Sequence, residues 1–137
     1  MSKEKIFVYG TLRKGFPLHR YLADKARFVG AGTIRGALYD LGEYPGVVQS
    51  NKGEVKGELY ELENASKYLR ELDRIEEFDP ENPENSLFIR SLTDVKLADK
   101  KTTKAWVYFL PSKPARARLI LDGDYQRREK PAQVANK

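Results

Sequence analysis

Hydrophobic and polar positions along this chain repeat with two different periods, and the changes of period mark its elements. Ile6-Phe7-Val8-Tyr9 is apolar without a break and stops at Gly10, which predicts a first strand over residues 5–10. Leu18, Tyr21 and Leu22, behind Pro17, have the spacing of a short helix reaching Ala26. Residues 27–40 read as extended, with Gly30, Gly32 and Gly36 marking bulges or close approaches of backbone. "GALYDLGEYPGVV" predicts a strand, a turn at Tyr44-Pro45-Gly46 and a second short strand. "EVKGELYELE" alternates, with Val55, Leu59 and Leu62 among polar residues. Two further strands are expected over residues 87–97 and 104–110, joined by the turn Asp99-Lys100-Lys101. Many strands and two or three short helices make an α+β domain, built as a strongly curved sheet or small barrel.

The period changes to that of a helix in "ASKYLRELDRIEEF", with Asn64 as its N-cap and the helix running over residues 65–77. With Leu69 at zero and about 100° per residue, Leu72 falls near −60°, Tyr68 near −100° and Ile75 near −120°. Glu76 falls near −20°, inside that apolar arc, whereas Glu77 falls near +80°, toward Arg70 and Arg74. By position Glu77 is an ordinary solvated acid and Glu76 is not. A half-buried carboxyl loses hydration of its charged form, which raises its pKa toward the range useful for proton transfer. The alternative is that the apolar stripe stops before Glu76 and leaves it exposed in a frayed last turn.

Composition narrows the class. A chain of 137 residues, 40% hydrophobic and 11% aromatic, fits one globular domain with a real core. It contains no cysteine, so disulfides, thiolate metal sites and a cysteine nucleophile are excluded. No apolar stretch reaches the ~18 residues of a membrane span, and no secretory leader is recognisable, so a cytoplasmic protein without a membrane partner is expected. The net charge of +5 is concentrated at the end. Arg127, Arg128, Lys130 and Lys137 oppose only Glu129, which accounts for +3 of it. Residues 1–125 therefore read as the domain and residues 126–137 as a polar, flexible tail. A folded basic stripe with interleaved aromatics is missing, which argues against a nucleic-acid partner.

The glycine-bounded loop "GTLRKG" invites comparison with a phosphate cradle. That motif needs Lys and Ser or Thr directly after its second glycine, and here Phe16 and Pro17 follow Gly15. A nucleotide site of that kind is rejected. Two readings stay open: Gly10 lets the chain turn while Leu12 plugs the core, or the loop amides converge on a carboxylate or oxyanion. His19, the single histidine, reads as a helix-surface residue, and no G-x-S-x-G elbow accompanies it. Trp106 and Tyr108 share one strand face, and Val107 and Phe109 the other.

Taken together, "VYGTLRKG", "GALYDLGEYPGVV", "VKGELYEL", "LRELDRIEEFDPENPENSLFIR", "KAWVYFL" and "LILDGDY" resemble, in order and spacing, the gamma-glutamylcyclotransferase-like family, including its gamma-glutamylamine cyclotransferases. The resemblance spans residues 6–125. It implies a small mixed β-barrel with a pocket at its mouth. It implies that the loop Tyr9, Gly10, Thr11 and Leu12 contacts the glutamyl group, and that the glutamate of L-D-x-x-E, here Glu76, is the catalytic acid. Tyr44 and Tyr108 join the expected substrate contacts. Glu77 stands where the family commonly has glycine, and Phe88 where tyrosine is frequent.

The implied enzyme is a cyclotransferase, of lyase or acyltransferase type, that needs neither metal nor cofactor. Its small-molecule substrate is a gamma-glutamyl amine or amino acid, whose α-amine attacks its own γ-carbonyl to give 5-oxoproline and a free amine. The alternative on the same fold is a non-catalytic ligand-binding or interaction protein.

Overall fold

Both faces of the first strand are buried, which is why its apolar run has no polar interruption. The computed structural model describes residues 4–10, 12–15, 19–23, 25–42 and 44–125. β1 (Lys5–Val8) sends Phe7 into one core and Ile6 and Val8 into another. It runs antiparallel to β5 (Glu54–Leu62) and parallel to β7 (Thr102–Phe109). β2 (Ala26–Arg35) and β6 (Ile89–Leu97) complete a closed, mixed barrel in the order β1-β5-β2-β6-β7. A second sheet places β4 (Pro45–Val48) and β8 (Arg118–Leu119) on either side of β3 (Ala37–Asp40). It joins the barrel where the Leu110 N–H donates to the Val47 carbonyl, 2.7 Å away.

The two cores divide by strand parity. Phe7, Val55, Leu59, Val95, Val107 and Phe109 fill the barrel. Ile6, Val8, Tyr60, Leu62, Leu72 and Tyr108 belong to an outer layer shared with helix α2 (Ala65–Ile75). Leu62 thus parts from Val55 and Leu59, because it is an odd number of residues from each. Among the described residues only one charged side chain is buried, Asp73 on α2.

Several element boundaries differ from the sequence reading. The first strand ends at Val8, and the chain leaves it through Tyr9 and Gly10. The early helix is a single turn, α1 (Arg20–Ala23), and Pro17 lies outside the described residues. Residues 27–40 hold two strands in different sheets, separated at Gly36. A Cβ there would meet Val47 Cγ1 at 2.6 Å, so the crossing point admits only glycine without a shift. The turn expected at Tyr44-Pro45-Gly46 lies earlier: the Leu41 N–H donates to the Tyr44 carbonyl, Gly42 takes φ +101°, and Pro45 opens β4. Pro45 is tolerated there as the first residue of an edge strand. Asn64 does hold the N-cap position of α2, but in the left-handed region and without a side-chain capping bond. The polar loop after α2 contains a short 3₁₀ turn, Pro83–Asn85. The tail over residues 126–137 lies outside the described residues.

Candidate active site

The end of α2 is set by backbone hydrogen bonds rather than by its apolar stripe. The helix stops at Ile75, two residues short of the expected end, with Glu76 as C-cap. Glu77 follows at φ 57°, its N–H donating to the Arg74 carbonyl at 3.2 Å, while the Phe78 N–H reaches back to the Asp73 carbonyl at 2.8 Å. This pair of bonds is the Schellman arrangement, whose left-handed position glycine fills most readily. Here a glutamate fills it.

The same turn places Glu76 and Glu77 against a cavity of about 320 Å³. Its walls include Tyr9, Gly10 and Leu12 from the loop after β1, Tyr44 and Pro45 at the start of β4, Leu87 and Phe88 before β6, and Tyr108 on β7. Glu76 is half-buried and Glu77 exposed. Loss of hydration, followed by the adjacent Glu77 charge, pushes the Glu76 carboxyl up to about 7. Near neutral pH such a group both holds and releases a proton, as acid–base work requires.

The loop facing it is built by close approach. A Cβ on Gly10 would lie 2.5 Å from Pro45 Cγ, so glycine lets the loop pass against β4. The Arg13 N–H closes a turn onto the Gly10 carbonyl at 2.9 Å, and the Lys14 N–H is taken by Glu58 Oε1 at 2.9 Å. Arg13 anchors the loop to the far end of the chain through Asp124 and the Tyr125 carbonyl, each 3.0 Å away. His19 is not a plain surface residue: Nδ1 lies 3.0 Å from the Leu12 carbonyl, and its ring packs on Tyr60.

Two of the lining residues, Tyr9 and Tyr108, belong to a polar relay among buried apolar side chains. Tyr9 donates its hydroxyl to the Tyr108 carbonyl at 2.6 Å, and Tyr108 donates its own to Asp73 Oδ1 at 2.6 Å. Arg90 grips Asp73 with Nε and Nη2, at 2.8 and 3.1 Å, and lies over the Trp106 ring at 4.5 Å. Burial first, and the Glu76 charge second, hold the Tyr9 phenol protonated well above its ordinary range. Tyr108 is shifted the same way, by burial and by its bond to Asp73.

Of the residues singled out by sequence, Tyr9, Gly10, Leu12, Tyr44, Glu76 and Tyr108 line this one cavity. Thr11 lies outside the described residues. Sequence reasoning missed the buried Asp73 and its partner Arg90. The helical wheel held the clue, because Asp73 falls near +40°, four residues after Leu69 and three before Glu76. Glu77 was read as solvated, and it is exposed, yet the left-handed turn brings it to the cavity instead of the basic face. Among the described residues no three His, Asp or Glu side chains gather where they could hold a metal ion.

Comparison with known proteins agrees with this architecture. The model of the family described as gamma-glutamyl cyclotransferase, AIG2-like, matches residues 6–127. The gamma-glutamylcyclotransferase family protein YtfP of Escherichia coli K12 is 33% identical over 127 residues, covering 92% of this chain and 99% of that one. The gamma-L-glutamyl-butirosin B gamma-glutamyl cyclotransferase of Niallia circulans is 36% identical over 86 residues, 62% of this chain and 53% of that protein. The crystal structure of an AIG2-like protein from Mus musculus superposes with a TM-score of 0.76 at 25% identity, covering 98% of this chain and 95% of the other.

Proposed function

The chain belongs to the AIG2-like gamma-glutamyl cyclotransferase family, and on that premise we propose that it converts a gamma-glutamyl amine or amino acid to 5-oxoproline and a free amine. The observation that carries this reading is the half-buried Glu76 carboxyl in a cavity shared with the glycine loop. The glutamyl end enters that cavity, with its α-amine folded back toward its γ-carbonyl.

Glu76, as carboxylate, takes a proton from the α-ammonium. The freed nitrogen attacks the γ-carbon, and a C–N bond forms as the carbonyl electrons move to oxygen. Collapse of this oxyanion breaks the bond to the leaving nitrogen, which receives the proton from Glu76. The carboxylate so restored takes the second proton from the ring nitrogen and passes it to the released amine, which departs as ammonium. Atoms and charge balance without water, and no cofactor enters the scheme. Such acid–base assistance contributes typically ~10²–10⁴-fold. Holding the substrate in its cyclising conformer contributes further, since proximity effects reach about 7–11 kcal/mol in favourable cases. Amides of Gly10 and Leu12 serve the α-carboxylate or the oxyanion.

The deciding experiment measures 5-oxoproline released from a panel of gamma-glutamyl amines and dipeptides by wild type and Glu76→Gln. Release that falls at least about 100-fold in the variant supports the role of Glu76. Equal release by both proteins removes it. Thermal stabilisation by the panel without any 5-oxoproline from wild type would transfer the site to a binding protein.

A further inference from the structure

We propose that Glu77 selects a leaving amine carrying a second, protonated nitrogen at the end of a short alkyl chain, as in the gamma-glutamyl conjugate of an alkyl diamine. The inference rests on the cyclotransferase reading for the orientation of the substrate. Most residues lining the cavity are buried or half-buried, and the two exposed ones are Glu77 and Leu87. With the glutamyl end held at Glu76, the leaving group exits between these two. Their backbones are tied, the Leu87 N–H donating to the Glu77 carbonyl at 3.0 Å. The exit therefore presents an apolar side chain for methylenes and a carboxylate for a terminal cation.

Charge points the same way. Among the described residues no Lys, Arg or His lines the cavity, and no cation pairs with Glu77. Arg90, which shares the Asp73 carboxylate with the lining residue Tyr108, is committed to that carboxylate. Two carboxylates thus share one cavity, and the α-ammonium of the substrate must lose its charge before it attacks. A cation on the leaving group supplies the missing charge at Glu77, whereas the carboxylate of an amino-acid leaving group would meet it with like charge. The position is also conformationally unfavourable for glutamate, at φ 57°, and the two backbone bonds that impose this φ fix where the side chain starts.

The test separates this role from turnover. Glutaric acid monoamides of 1,4-diaminobutane and of butylamine lack the attacking amine and cannot cyclise. Their affinities for wild type, Glu77→Gln and Glu77→Gly are measured by calorimetry at about 10 mM and 1 M salt, where screening lengths are roughly 30 and 3 Å. Wild type should bind the diamine amide roughly two- to five-fold tighter at low salt, the range of a solvent-exposed ion pair. Both variants, and high salt, should abolish the preference. Equal affinities in wild type, a preference that survives in both variants, or binding of neither amide overturns the proposal. If gamma-glutamyl conjugates yield no 5-oxoproline while the tail preference holds, the cyclotransferase reading falls and the charge selection by Glu77 stands.

Discussion

Tyr108 donates its hydroxyl to Asp73 Oδ1 at 2.6 Å, across the boundary between barrel and helix. The bond joins β7 to the turn of α2 just before Glu76, and Arg90 on β6 holds the same carboxylate. Removing charge from Asp73 leaves the largely buried Arg90 guanidinium without its counterion. Asp73→Asn should therefore cost about 2–4 kcal/mol of stability, measured by urea unfolding. Tyr108→Phe leaves the ion pair in place and should cost only about 1–2 kcal/mol. Equal losses in the two variants would mean that the ion pair adds nothing beyond the hydroxyl.

Glu76→Gln should reveal the strain of keeping a carboxylate in this cavity. The Glu76 carboxyl titrates near 7 in the fold against an ordinary 4.5. A raised folded value gives a stability contribution that is complete below 4.5 and is lost as pH rises through about 7. Wild type should accordingly lose stability across that window, and Glu76→Gln should not. The variant should end roughly 1–3 kcal/mol more stable than wild type at alkaline pH, with the gap closing in acid. Unfolding curves at several pH values read this directly, and a gap independent of pH would contradict it.

Glu77→Gly removes both a left-handed glutamate and a like charge beside Glu76. Relief of the backbone conformation should stabilise the protein by about 0.5–1 kcal/mol, after allowance for the greater freedom of glycine when unfolded. The Glu76 carboxyl should titrate lower, moving the acidic limb of the activity–pH profile to lower pH. An unmoved limb would show that Glu77 is too well solvated to act on its neighbour.

Gly10→Ala drives a methyl group into Pro45 Cγ, 2.5 Å from the ideal Cβ position. Either the loop or β4 must retreat, and both line the cavity. A displacement of this kind far exceeds the tolerance of an aligned reaction, so activity should fall at least about 10-fold with the fold retained. Full activity in a correctly folded variant would remove the loop from the site.

How much could be read from the chain itself follows from the range of each interaction. The apolar run Ile6 to Tyr9 and the misplaced Glu76 are local patterns, visible because strand and helix periods are short. Leu62 was grouped with Val55 and Leu59 because alternation was counted by apolarity instead of parity. The two-residue overextension of α2 arose because glutamates are good helix formers, while the stop comes from backbone bonds around a left-handed Glu77. Arg90 escaped notice because its partner lies seventeen residues away, on another element.

The sequence by itself determined that this is one α+β domain with an apolar first strand running toward a glycine and an acid in line with the apolar stripe of a helix. Those features depend on neighbours within a few residues. Only the tertiary structure decided that the glycine loop and Glu76 share one cavity, and that Pro45 is what Gly10 must admit. It also decided that Asp73 is buried with Arg90 and Tyr108, and that Glu77 turns from the basic helix face to the cavity. Barrel closure brings together residues as distant as Tyr9 and Tyr108, and the hydration each acid loses there is a property of the whole packed assembly.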